Sequence, residues 1–250
     1  MTNARESYYR LVLGLPYDRC CGLPCFTFRG DSAASPLAVL VKRSLERAVA
    51  DVSGPPELVR SVLGMSGQKY RVFINDLVRS HADARYLEIG SWRGSTAVAA
   101  LYGNAVKAVC IDNWSQFGAP KEDFLDNMQR VQSPAIDFRF IEEDFRCIDY
   151  SSLGRFNIFL YDGYHSEMAQ RDGIVLAQPA LDESFVLIVD DWNWRRVRVG
   201  TFRAIRDADC SIVFAVEIRT TLDESHAVIH DDQSDWHNGY FIAIVSRPAG

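Results

Sequence analysis

Six acids in this chain follow short apolar runs, at intervals that could bring them to one edge of a sheet: Glu88, Asp112, Asp144, Asp162, Asp190 and Asp191. A carboxylate accepts hydrogen bonds, holds a proton or shares a cation, and its neighbours decide which. Asp112, ending the second of these runs, suits the acid that accepts hydrogen bonds from ribose hydroxyls in nucleotide-binding folds. Tyr161-Asp-Gly-Tyr-His165 and Val189-Asp-Asp-Trp192 bring Asp162, Asp190 and Asp191 into neighbouring positions beside an imidazole. Three such carboxylates repel unless they are protonated or neutralised, and an oxygen-rich set favours a hard divalent ion, Mg²⁺ first. His165, three residues beyond Asp162 at an expected helix start, could take a proton from a hydroxyl. The same position also suits a histidine that caps or packs at a helix N-terminus. His226, His230 and His237 fall in a polar stretch with Asp231, Asp232 and Asp235, read as a solvated connection in preference to a lid.

A second signal lies in Tyr86-Leu-Glu-Ile-Gly-Ser-Trp-Arg-Gly-Ser-Thr96. An apolar strand runs into a glycine turn, and a helix-compatible run follows at once. Gly90 and Gly94 let backbone approach a ligand closely, and unpaired N–H groups at the helix start face the same place. The spacing G-x-x-x-G is not the dinucleotide fingerprint G-x-G-x-x-G. With an acid two residues before its first glycine, the segment resembles the cofactor turn of class I S-adenosylmethionine (SAM) methyltransferases. The Asp-Gly-x-His and Asp-Asp motifs are similar to those of the metal-dependent macrocin and mycinamicin type of sugar O-methyltransferase. This resemblance spans roughly residues 65–205. It implies that Glu88 and the Gly90–Gly94 turn, with Ser91 and Ser95, hold the methionine part of SAM. It also implies that Asp112 and Asn113 meet the ribose and that Asp144 lies near the adenine, although Glu143 could serve equally well. By the same resemblance Asp162, Asp190 and Asp191 are metal ligands, His165 is the base, and Asp162 also counts among the catalytic and cofactor-binding residues. The expected activity is methyl transfer to a hydroxyl of a small-molecule acceptor of sugar or natural-product type. A metal-independent methyltransferase and a non-catalytic SAM-binding module remain as alternatives.

These residues need a frame that lines up strand ends. From Arg85 onward strands and helices alternate with short connections. Strands are expected at 85–89, 106–111, 136–141, 157–161 and 185–189, and helices at 95–102, 121–131, 166–177 and 195–207. Such alternation implies right-handed crossovers and a mainly parallel sheet covered on both faces. Two last strands, 211–219 and 239–246, are joined by polar chain and are expected to form an antiparallel hairpin. The fold class is therefore a Rossmann-like, doubly wound α/β sheet of seven strands, and the resemblance implies the order 3-2-1-4-5-7-6. Residues 1–80 are expected as an extension capping substrate or carrying homo-oligomer contacts, and 81–250 as the methyltransferase domain. Within the extension, 1–35 reads as turns, and helices are expected at 36–51, 56–63 and 66–80, the last with Tyr70, Phe73, Ile74 and Leu77 on one face.

Composition bounds the rest. The chain has 250 residues, 48% of them hydrophobic, enough for one large core. A net charge of −6 argues against nucleic acid as a partner, and Arg195, Arg196 and Arg198 read as a solvated helix face. No run approaches the roughly 18–20 apolar residues of a membrane span, and a cytoplasmic protein is expected. Cys110, Cys147 and Cys210 read as reduced core residues, and Cys20, Cys21 and Cys25 as structural and not a zinc knuckle. Trp92 and Trp114 sit where a ring could stack, and Trp192 and Trp194 where they could wall an acceptor pocket.

Overall fold

The computed structural model describes residues 24–118 and 120–247. Eight strands form one sheet: β1 (Cys25–Gly30), β2 (Arg85–Ile89), β3 (Val106–Asp112), β4 (Ile136–Glu142), β5 (Phe156–Tyr161), β6 (Leu181–Val189), β7 (Ser211–Arg219) and β8 (Tyr240–Ser246). Their order is β1-β7-β8-β6-β5-β2-β3-β4. Strands β4, β3, β2, β5 and β6 are parallel, while β8 runs antiparallel to both β6 and β7. The expected seven-strand order is present, with an eighth strand added at its edge. That strand, β1, corrects the reading of residues 1–35 as turns, and it pairs antiparallel with β7 from Cys25 opposite Arg219 to Gly30 opposite Phe214.

Among the described residues seven α-helices cover the sheet: α1 (Pro36–Ala50), α2 (Glu57–Arg60), α3 (Gln68–Ser80), α4 (Ser95–Leu101), α5 (Lys121–Val131), α6 (Glu167–Leu176) and α7 (Arg195–Asp207). Alternation along the strands divides the core. Tyr86, Ala108, Cys110, Ile158, Leu160, Val186 and Ile188 face one layer, together with residues of α1, α3, α4 and α5. Leu87, Ile89, Val109, Ile111, Phe159, Tyr161, Leu187 and Val189 face the other, with residues of α6 and α7. Strand β5 is buried at every position, as a parallel strand covered on both faces must be. Tyr70, Phe73, Ile74 and Leu77 of α3 are all at most 1% exposed, and the Tyr70 ring stacks on Tyr240 at 3.7 Å, tying α3 to β8.

The three cysteines read as core differ from one another: Cys110 is buried, Cys210 intermediate and Cys147 exposed. Cys147 lies in a short 3₁₀ turn after β4, where the apolar run has already ended. Cys25 is held in a disulfide; Cys20 and Cys21 lie outside the described residues. No helix among the described residues is long and apolar enough to cross a membrane.

Candidate active site

The chain steps from β2 to β3 and β4 on one side, then returns to β5 and β6 on the other, so the order reverses between β2 and β5. Ligands of open α/β sheets bind at such a switch point, beyond the carboxyl ends of the strands. Here the strand ends are laced together. Gly90 N–H donates to Ile111 O at 2.9 Å and Asp162 N–H to Ile89 O at 2.8 Å. A Cβ on Gly90 would stand 2.0 Å from Asp162 O, and its φ is +91°, so close packing and backbone shape both call for glycine.

A cleft of about 690 Å³ opens at this point, within the range of small-molecule sites. Of the residues expected to hold the cofactor or a metal or to act as base, Gly90, Asp112, Asn113, Asp144, Asp162, His165, Asp190 and Asp191 line it, as does Glu143, the alternative to Asp144. Glu88, Ser91, Gly94 and Ser95 of that set do not line it. Glu88 is 1% exposed and accepts the Tyr86 hydroxyl hydrogen. Burial pushes its carboxyl up to about 7, an effect the Tyr86 bond partly offsets. Ser91 is buried at 6%. Gly94 caps α4 in the left-handed region, with Phe124 against it. Ser95 turns away from the cleft and pairs with Ser66 Oγ at 2.9 Å, which in turn accepts from the buried Arg71.

At one end of the cleft Asp112 receives two backbone N–H groups, Trp92 at 2.8 Å and Trp114 at 2.7 Å. These bonds lock the carboxylate against the glycine turn and leave each oxygen a further lone pair for a hydroxyl. Asp144 caps the turn after β4, accepting from Arg146 N–H at 2.9 Å. Trp92 lines the cleft, but Trp114 is packed among Phe124 and Phe140 and cannot stack on a ligand. Trp192 likewise is buried, its indole N–H on Glu217 at 2.9 Å and its ring on Phe241, so Trp194 alone of that pair walls the cleft.

The opposite end holds the acids of β5 and β6. Asp190 and Asp191 are 4% and 6% exposed. Loss of solvent and the charges of Asp190 and Asp191 push the Asp162 carboxyl well above its usual range. Asp190 is raised by burial and by Asp191. Asp191 moves the other way: burial would raise it, but His165 and His237, with the Asn238 amide, more than compensate. His165 Nε2 lies 3.0 Å from Asp191 Oδ2 and 3.7 Å from Asp162 Oδ1. Asn238 Nδ2 donates to Asp191 Oδ1 at 2.8 Å, and His237 Nε2 stands 3.6 Å from the same oxygen. The expected Mg²⁺ centre is not what this arrangement provides. Both Asp191 oxygens already face N–H donors, and no three His, Cys, Asp or Glu side chains among the described residues are disposed to hold a metal ion.

Sequence reasoning missed the contribution of the β7–β8 connection. It is no loose solvated stretch: His226, His230, Asp231, His237 and Asn238 all line the cleft. Gln68 N–H donates to Ser234 O at 2.7 Å and Tyr70 N–H to Asp235 O at 3.2 Å, fastening the connection to the start of α3. At its other end Thr220 N–H donates to Asn193 Oδ1 at 3.0 Å. Histidines crowded between two strands at the carboxyl edge were the available signal.

No family model and no curated protein sequence matches the chain. Solved structures similar to it include a candidate RNA methyltransferase of Pyrococcus horikoshii, at 12% identity and TM-score 0.49, covering 85% of this chain and 98% of that one. An O-methyltransferase of Bacillus cereus in complex with S-adenosylhomocysteine (SAH) is similar at 15% identity and TM-score 0.49, covering 83% and 91%. An SAH-bound methyltransferase of Podospora anserina is similar at 12% identity and TM-score 0.49, covering 88% and 90%. At such identity nothing about this chain's substrate follows from them. They do correct one expectation: with a candidate RNA methyltransferase among the similar structures, an acidic net charge is no ground for setting nucleic acid aside.

Proposed function

We propose that this chain transfers a methyl group from SAM to a hydroxyl oxygen of a small-molecule acceptor, with His165 as general base oriented by Asp191. The observation that carries the reading is the state of the His165 ring. Its Nε2 faces Asp191 Oδ2 at 3.0 Å, so the ring hydrogen belongs there. Its Nδ1 is buried without a hydrogen-bond partner. An unpaired buried nitrogen is costly unless something completes it, and a substrate hydroxyl would do so.

The residues at the other end of the cleft fit the cofactor. Asp112 is fixed by two backbone N–H groups with lone pairs to spare, and Gly90 presents bare backbone beside it. Asp144 and Asn113 complete that wall. When bound, SAM supplies an electrophilic methyl group on a sulfonium. The chain's own part is positional. The cleft holds the acceptor hydroxyl against His165 Nδ1, which takes its proton as the oxygen gains the methyl group. The imidazolium so formed faces the Asp191 carboxylate, whose charge Asn238 keeps hydrogen-bonded.

The test is transfer of labelled methyl from SAM to a panel of hydroxylated acceptors by the purified chain. His165→Ala should lower turnover by roughly 10²- to 10⁴-fold, the usual contribution of a positioned base. Turnover by the variant at the wild-type rate would remove His165 from the chemistry.

A further inference from the structure

Asn238 closes the β7–β8 connection and is 1% exposed. Its side-chain oxygen accepts Ala227 N–H at 2.9 Å, which fixes which end of the amide carries the hydrogens. Those two hydrogens then go to Asp191 Oδ1 at 2.8 Å and His226 Nδ1 at 3.2 Å. His237 also brings Nε2 within 3.1 Å of this amide nitrogen, but it is not the acceptor. Its Nδ1 accepts Asp231 N–H at 2.9 Å, so its own hydrogen is on Nε2 and faces Asp191.

A neutral imidazole that accepts at Nδ1 must carry its hydrogen on Nε2. His226 is therefore a donor at Nε2, whereas His165 is an acceptor at Nδ1. Both rings stand edge-on to Trp194, His165 at 5.5 Å and His226 at 5.0 Å between centroids. All three line the cleft. Asn238 thus sets the free nitrogen of His226 as a donor. Asp191, to which the same amide donates, leaves the free nitrogen of His165 an acceptor, and the two imidazoles flank one indole.

We infer that His226 is a specificity-determining residue: its Nε2–H holds a second oxygen of the acceptor beside the hydroxyl whose proton passes to His165. The acceptor class is then a compound with two neighbouring oxygen functions, at least one a hydroxyl, such as a diol or a hydroxyketone. Asn238 is the positioning residue for His226, as Asp191 is for His165. This inference rests on the methyl-transfer reading for the role of His165, but its own evidence is the hydrogen-bond chain through Asn238.

Binding to the SAH-loaded 250-residue chain separates the two. Calorimetry would compare catechol with phenol, and 1,2-cyclohexanediol with cyclohexanol, in wild type and in His226→Phe, which keeps a ring against Trp194. In at least one pair, the two-oxygen member should bind wild type about 2- to 10-fold more tightly, the worth of one hydrogen bond at a partly exposed site. That gap should vanish in the variant while SAH affinity stays unchanged. Histidine ring ¹⁵N spectra should also show His226 with a bare Nδ1, and His165 likewise. Equal binding of both members, no binding of any, or a gap that survives His226→Phe would overturn the inference. Diol binding without methyl transfer would instead overturn the proposed reaction and leave the role of His226 standing.

Discussion

Asp191 stays charged in a place that disfavours charge. Burial alone would raise its carboxyl, yet it lies below the usual range because His165 and His237 stand against it and Asn238 donates to it. Its value to the site is orientation, since it draws the His165 hydrogen to Nε2 and leaves Nδ1 free. Asp191→Asn presents an amide that can donate as well as accept, so the ring loses its preference for that tautomer. The expected result is a fall in turnover approaching that of His165→Ala, with the KM for SAM unchanged. A variant with normal turnover would show that His165 needs no such partner. The acids Asp112, Asp162, Asp190 and Asp191 were legible in the sequence because each ends a strand or lies within two residues of its end, and the ends of parallel strands share one edge. The hydrogen bonds that assign their roles were not, since Asn238 and His237 reach Asp191 from 46 or more positions along the chain.

The element that shapes the end of the cleft proposed for the cofactor is the turn from β2 into α4. Glu88 sits beneath it with a folded-state carboxyl near 7 against an ordinary 4.5. The folded chain therefore binds a proton that the unfolded chain has released across this window. The group's contribution is full below pH 4.5 and is lost as pH rises through 7, a difference of about 3 kcal/mol. Denaturant melts of Glu88→Gln should show a flatter dependence on pH between 4.5 and 7 than wild type. An identical dependence would mean that Glu88 titrates normally. Gly90→Ala should be more damaging, because the added Cβ meets Asp162 O at a positive φ. A cost of more than about 1 kcal/mol in the same melts is expected from the backbone conformation alone, and wild-type stability would contradict the close approach. Long periodic elements such as α3 and α7 were readable from spacing. β1 was not, since Cys25–Gly30 is a short edge strand flanked by turn residues, and its pairing depends on the free edge that β7 offers.

At the scale of the whole molecule, the sheet supplies two rims, and the β7–β8 connection folds over to complete one of them. That division explains what composition and pattern missed. The polar chain from Thr220 to Asn238 has no period to read, and its place is set by distant backbone partners at Gln68 and Tyr70. Net charge says equally little, because the cleft gathers acids and histidines on its lining whatever the total. The central claim is that this cleft holds SAM with Asp112 on the ribose and His165 at the methyl end. Calorimetric titration of SAH into wild type, Asp112→Ala and His165→Ala tests it most directly. We predict saturable binding of one SAH per chain, an affinity at least about 10-fold weaker for Asp112→Ala, as for loss of a charged hydrogen-bond acceptor, and an unchanged affinity for His165→Ala. No binding of SAH to the wild-type chain, or equal binding by Asp112→Ala, would contradict the account.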